Sequence, residues 1–312
     1  MDERNIYQPI LVTIRCFTFN QVKYVRQCLE GFISQKTNFR FEAIVHDDAS
    51  TDGTDEIIKE YERNYPDIIT PILESENQWS KHDGSLRKIM ESYTRGKYIA
   101  ICEGDDYWTD PNKLQKQVDF LESHPDYSMC FHNAIEHYEN INIEDKLFSN
   151  IKDQDYQAID IYNQWIVPTA SVVIRNEVFE SHLYHTVFNE HDLLFTDTPL
   201  FLVCAKLGKI RGMSDAMSVY RKHDGGMTSS SFFYKKENLL KFVDYYIQLS
   251  EIFGKEYKPK AIEVYTRTYT NLFIYSRKNG HTEWQFLFSS LIKHPFQTII
   301  CLWDSYRGRH TN

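Results

Sequence analysis

Ile99-Ala100-Ile101-Cys102-Glu103-Gly104-Asp105-Asp106-Tyr107-Trp108 joins an apolar run to three carboxylates within four positions. Residues 98–102 read as a buried strand, and the acids begin where it ends. In an open α/β sheet, ligands bind outside the carboxyl ends of strands. Carboxylates crowded there repel one another unless a cation or bound protons relieve them. The segment therefore predicts a divalent-metal site. A helix cap is the plainer alternative, since Asp110-Pro111 has the form of a cap followed by proline in the first turn. One cap needs one carboxylate, and this stretch offers four.

Working outward, the first 130 residues alternate strand and helix patterns. Ile10 to Ile14 reads as a first strand leading to Phe17-Thr18-Phe19-Asn20. Tyr24 to Ile33 has helical spacing, with Tyr24, Val25, Cys28, Leu29 and Phe32 on one face. Phe41 to Val45 is a second strand running into His46-Asp47-Asp48-Ala49-Ser50-Thr51-Asp52-Gly53-Thr54. A helix around Ile57, Ile58 and Tyr61, a strand at Ile68 to Leu73 and a helix at Gly84 to Tyr93 precede the acidic segment. This alternation predicts an α/β fold with a single, mostly parallel central sheet flanked by helices. Asn20, Asp47-Asp48 and Asp105-Asp106 would then collect along one sheet edge. Beyond it, Lys113 to Ser123 reads as helix, Tyr127 to Asn133 as strand, and residues 136–160 as an insertion or mobile loop. Pro168 to Arg175 returns to strand character, and Thr198 to Leu207 is helical. The sheet domain is expected over residues 1–230, followed by a helical C-terminal extension over 231–312.

The bulk numbers narrow the function. Lys and Arg number 35 against 44 Asp and Glu, a formal charge of -9, which disfavours nucleic acid as a partner. The six cysteines are scattered, with no C-x-x-C pair, so neither a zinc ribbon nor a disulfide scaffold is indicated. No signal-peptide pattern and no stretch of bilayer-spanning length is found, and a reducing, cytoplasmic location is expected.

Taken in order, several segments resemble the family 2 glycosyltransferases of GT-A fold, of the bacterial polysaccharide-biosynthesis type. They are Val12-Thr13-Ile14 with Phe19-Asn20, the Asp47 to Thr54 block, and Gly96-Lys97-Tyr98-Ile99 leading to Glu103-Gly104-Asp105-Asp106. Thr196-Asp197, Ala205-Lys206-Leu207-Gly208 and Val219-Tyr220-Arg221-Lys222-His223 follow, so the likeness covers roughly residues 9–230. The resemblance implies a nucleotide-sugar donor, with UDP-sugars favoured, and a carbohydrate or lipid-linked acceptor. Asp47 or Asp48 would accept a hydrogen bond from the base, the other binding ribose or holding the turn. Thr13, Asn20, Glu103 and Asp105 would line the nucleotide, and Arg15 would face its phosphates or brace the loop. Asp106, with Asp105 nearby, would hold Mn²⁺ or Mg²⁺ on the diphosphate, with His223 as a metal ligand or a phosphate contact. Asp197 would be the catalytic base of an inverting transfer. Two positions depart from the family pattern: Arg15-Cys16 stands where proline is usual, and Glu103 where aspartate is common.

The groups suit that chemistry. A departing nucleoside diphosphate needs its charge neutralised, which a hard cation on carboxylate oxygen does without a proton. The acceptor hydroxyl needs a carboxylate about 3 Å away to take its proton. Asp197 fills this role, with helix capping as its plain alternative and Asp192 beside His191 as the competing base. With one base and no evident nucleophile, displacement with inversion is expected. Arg221 would add a phosphate contact, and the segment His223-Asp224-Gly225-Gly226-Met227-Thr228 would close over the donor. Trp108 either packs under the acidic loop or offers its face to the acceptor sugar. Two other classes stay open: a nucleotidyltransferase, which should show an early Gly-rich loop although residues 15–22 contain no glycine, and a non-catalytic nucleotide or carbohydrate binder. The apolar tail, Phe286 to Lys293 and Phe296 to Trp303 with Lys293, Arg307 and Arg309, suits peripheral contact with the inner face of the plasma membrane. It suits equally packing on the core or a face between copies of the chain.

Overall fold

The computed structural model describes residues 9–226 and 235–307. The chain divides into two compact units, one of residues up to 192 with 196–223, the other of 193–195 with those from 224 onward. The expected boundary at 230, Met227, Thr228 and Arg309 lie outside the described residues.

The first unit is an α/β structure. Its strands are β1 (Ile10–Thr18), β2 (Arg40–Asp47), β3 (Ile69–Leu73), β4 (Tyr98–Glu103) and β5 (Tyr107–Trp108). Next come β6 (Tyr127–Tyr138), β7 (Lys146–Leu147), β8 (Gln154–Tyr156), β9 (Val173–Arg175) and β10 (Lys209–Lys222). They form one sheet in the order β3-β2-β1-β4-β9-β6-β10-β5, with β7 on β6 and β8 on β10. The first four strands pair in parallel, as the alternation predicts. The sheet as a whole is mixed, because β9 runs antiparallel to both β4 and β6 and β5 runs antiparallel to β10.

Val12, Ile14 and Cys16 of β1 and Ala43, Ile44 and Val45 of β2 are fully buried, as parallel strands covered on both faces require. Helix Val25–Ile33 buries Val25, Cys28, Leu29, Gly31 and Phe32 against them. Gly31 is needed there: a Cβ would meet the Trp108 backbone nitrogen at 2.9 Å. Residues 136–160 are more ordered than the polar composition suggests. β6 continues to Tyr138, β7 and β8 follow, and the Asn133 side chain both donates to the Ile151 carbonyl and accepts from its N–H.

The second unit is helical, with helices Lys236–Phe253, Lys258–Lys278, Trp284–Lys293 and Pro295–Arg307. The apolar tail breaks into two helices at His294-Pro295, since proline cannot donate its nitrogen but fits a first turn. No helix among the described residues is long and apolar enough to cross a membrane. All six cysteines are free thiols.

Candidate active site

Strand register assembles the acidic edge. Thr18 at the end of β1 pairs with Asp47 at the end of β2, and Phe17 pairs with Glu103 at the end of β4. The two Asp-containing turns thus lie on either side of β1, at the carboxyl ends of parallel strands. Gly104 lets the second turn sit tight on β1: its N–H donates to the Phe17 carbonyl, and a Cβ would lie 2.5 Å from Thr18 and Gln21.

In the first turn both carboxylates are buried and well bonded. Asp47 accepts from Thr18 Oγ1, Ser50 N–H and Ser50 Oγ. Asp48 accepts the N–H groups of Gln78 at 2.6 Å and Trp79 at 3.0 Å. Asn20, at φ 53°, accepts the Thr51 N–H on its side chain and gives its own N–H to Ser50 Oγ, lacing β1 to this turn. Asn20 thus shapes the turn. Phe19 and Trp79 flank it with exposed rings; an aromatic at a polar strand end was the signal available in the sequence for Phe19.

The second turn is held differently. Asp105 Oδ2 lies 3.0 Å from His223 Nε2, and the His223 ring packs on Tyr24. Asp106 is 1% exposed. Its Oδ1 accepts the Arg221 N–H at 2.9 Å, while its buried Oδ2 has no hydrogen-bond partner among the described residues. Burial, then the charges of Asp105 and Glu103, push the Asp106 carboxyl well up. Asp106 is thus set deeper than Asp105, tied to β10 through Oδ1 with Oδ2 left over, and Asp105 is the more open of the two acids. Glu103 keeps exposed surface; desolvation by the atoms around it, then the charges of Asp105 and Asp197, push its carboxyl upward.

Arg221 is a clamp, not a free cation. It is buried between the rings of Tyr24 and Tyr107, donates from Nε to the Asp105 carbonyl, and bonds Gln27 and Glu139. The expected phosphate contact is therefore replaced by a hold on the acidic turn.

Three further positions are set by packing. Thr13 lies toward the opposite end of β1, where its hydroxyl donates to Glu42 and accepts the Gly96 N–H. Arg15 is 5% exposed, bonded to Thr94 Oγ1 and stacked 4.3 Å from the Phe179 ring, so it braces the sheet. Trp108 is 3% exposed, donates its indole N–H to the Ala170 carbonyl and packs on Phe32. Of its two readings, packing under the loop holds.

Asp197 opens helix Asp197–Leu207, and its Oδ1 accepts the Thr198 N–H at 2.7 Å. Desolvation raises its carboxyl above the ordinary value, the direction that suits a proton acceptor. Asp192 and His191 are exposed. Trp165 stands close enough to Asp197 to offset part of that rise. Trp165 is 40% exposed and meets Phe148 and Tyr220 edge-on. This aromatic group beside Asp197 was not foreseen, because Trp165 and Phe148 lie in a segment without periodicity.

Among the described residues no three His, Cys, Asp or Glu side chains form a cage for a metal. The Asp105–His223 pair, one carboxylate and one imidazole, suits a cation whose other ligands come from a substrate diphosphate and water.

Residues 16–183 match glycosyl transferase family 2. An uncharacterized protein of Mycobacterium tuberculosis is 36% identical over 222 residues, covering 71% of this chain and 61% of that protein. The chain thus spans about three fifths of the length of that curated relative. Among solved structures, Staphylococcus aureus TarS 1-349 in complex with UDP-GlcNAc superposes with TM-score 0.57 at 19% identity, over 95% of this chain and 80% of that one. The mannosyltransferase PcManGT of Pyrobaculum calidifontis, in complex with GDP-Man and Mn²⁺, does so with TM-score 0.51 at 15% identity, over 96% and 89%. Both share the α/β architecture described above. Matched over more than half its length, the chain belongs to glycosyl transferase family 2.

Proposed function

We propose that the protein transfers a sugar from a nucleoside diphosphate sugar, preferably a UDP-sugar, to a hydroxyl of a glycan or lipid-linked acceptor, with inversion at the anomeric carbon. The observation that carries this reading is that Asp105, paired with His223, and Asp197 both act on Glu103 through their charges. A divalent cation shared by Asp105, His223 and the diphosphate would neutralise the charge that builds on the leaving group. Asp197, already raised toward its proton-accepting range, takes the proton of the attacking hydroxyl. The exposed face of Trp165, close to that same carboxylate, offers a platform for the acceptor sugar. Phe19 and Trp79 offer rings to the base, with the Asp47–Asp48 turn between them. Arg221 keeps Asp105 in position from behind.

Calorimetry with UDP, GDP and dTDP, with and without Mn²⁺, tests the donor half on wild type and Asp105→Ala. UDP binding that strengthens with Mn²⁺ and loses this gain in Asp105→Ala is expected. Metal-independent binding untouched by the substitution would overturn the cation assignment. Asp197→Asn should keep nucleotide binding while lowering nucleotide-sugar turnover about 10²–10⁴-fold; unchanged turnover would remove Asp197 as the base.

A further inference from the structure

The last two helices present their apolar stripes outward. A helix normally turns its apolar stripe to the core. In Trp284–Lys293, Phe286 and Ser290 are the buried residues, while Trp284, Phe288 and Ile292 share the opposite stripe at four-residue spacing. In Pro295–Arg307, Thr298 is buried, and Phe296, Ile299, Ile300 and Trp303 form an outward stripe. Ile292 and Phe296 are 81% and 77% exposed, and the others more than half. Ser290 and Thr298 hydroxyls, 2.6 Å apart, join the two helices on their inner side. Ile299, Ile300, Leu302, Trp303 and Tyr306 line a groove of about 540 Å³. The apolar surface therefore results from the pattern of both helices.

Charge indicates what covers it. Residues 1–223 hold 23 Lys and Arg against 36 Asp and Glu, whereas residues 224–312 hold 12 against 8. Lys293 and Arg307 are exposed on these helices, and the Arg307 guanidinium stands 5.1 Å from the Trp303 ring. A second copy of the same surface would bring together two patches of like net charge, since Lys293 and Arg307 outnumber Asp304 on these helices. An anionic surface with an apolar interior pairs with both features, and tryptophan and tyrosine suit its boundary. We infer that helices Trp284–Lys293 and Pro295–Arg307 lie in the interfacial plane of an anionic lipid bilayer, inserting Phe296, Ile299, Ile300 and Trp303 below the headgroups. Neither helix is long and apolar enough to span it.

The test is co-sedimentation of the full chain with vesicles of phosphatidylcholine, alone or mixed with phosphatidylglycerol. It reads binding, so it is independent of the transferase reading. Wild type should bind the mixed vesicles and lose affinity as salt is raised. Ile300→Glu with Trp303→Glu should weaken binding at least about ten-fold, with circular dichroism showing the helices retained. Should that pair disturb folding, Lys293→Glu with Arg307→Glu should abolish the preference for phosphatidylglycerol. Equal binding to both vesicle types, no binding to either, or a dimer in sedimentation that Trp303→Glu dissociates without any vesicle binding would each overturn the inference.

Discussion

The turn after β2 and the turn after β4 each place two neighbouring aspartates at the end of a parallel strand, yet they are held in opposite ways. Asp47 and Asp48 are enclosed by donors, five hydrogen bonds in all from hydroxyls and backbone N–H groups. Asp106 receives one and keeps a buried oxygen without a partner among the described residues, and Asp105 faces an imidazole. Backbone donors favour the ionised carboxylate, whereas burial without donors favours the protonated acid. The first turn is therefore a fixed hydrogen-bonded frame. In the second, burial disfavours charge on Asp106, and Asp105 is the less buried of the pair.

The sharpest way to break this comparison is to neutralise the two aspartates of the second turn separately. Asp105→Asn should lower nucleotide-sugar turnover about 10²–10³-fold, and Asp106→Asn less than about ten-fold, because Asn still accepts the Arg221 N–H. Steady-state turnover with Mn²⁺ titration reads both. The reverse order would return the cation to Asp106.

In the first turn the expected effect is on stability. Asp48→Ala leaves the Gln78 and Trp79 N–H groups without their acceptor and should cost about 2–3 kcal/mol in urea unfolding. A change under about 0.5 kcal/mol would show that the turn is not a frame.

Lys113 probes the packing beneath the second turn. It is fully buried, bonded to Gln117 and placed 4.1 Å from the Trp108 ring, and burial brings its ammonium down to about 7. Below pH 7 both folded and unfolded chains carry this charge, and its burial cost is felt in full. Between about 7 and 10 the unfolded chain binds a proton that the folded chain lacks, so stability rises with pH. Lys113→Met should remove that rise and stabilise the protein at pH 6 by on the order of 2 kcal/mol. An unchanged pH profile of unfolding would show that Lys113 is not desolvated.

The smallest effect belongs to Ala49, between the first pair of aspartates and Ser50, at φ 62°. Its Cβ is crowded in this left-handed conformation, so Ala49→Gly should stabilise by about 1 kcal/mol in the same unfolding assay. A loss of stability would mean that glycine's freedom in the unfolded chain outweighs the strain.

Much of the edge was legible from pattern. Strands β1, β2 and β4 are apolar runs ending in polar clusters, and parallel pairing brings such ends together whatever their spacing. The roles of Thr13, Arg15, Trp108 and Arg221 were not legible. Thr13 and Arg15 adjoin the motif in sequence, but Thr13 bonds Glu42 and Gly96 while Arg15 bonds Thr94 and stacks on Phe179. Arg221 was read as a free cation because its neighbours are cationic, yet its backbone N–H meets Asp106 from 115 positions away. Trp165 escaped because it belongs to no periodic run.

By itself, the sequence determined the alternation of elements, the placing of the carboxylates at strand ends, and the apolar stripes of the last two helices. Those follow from local periodicity and strand chemistry, which each segment carries alone. Only the tertiary structure decided which aspartate is open, which arginine is a clamp, and which face of each terminal helix is left uncovered. Charge state and exposure depend on donors and packing supplied by residues distant in the chain, and no local pattern encodes them.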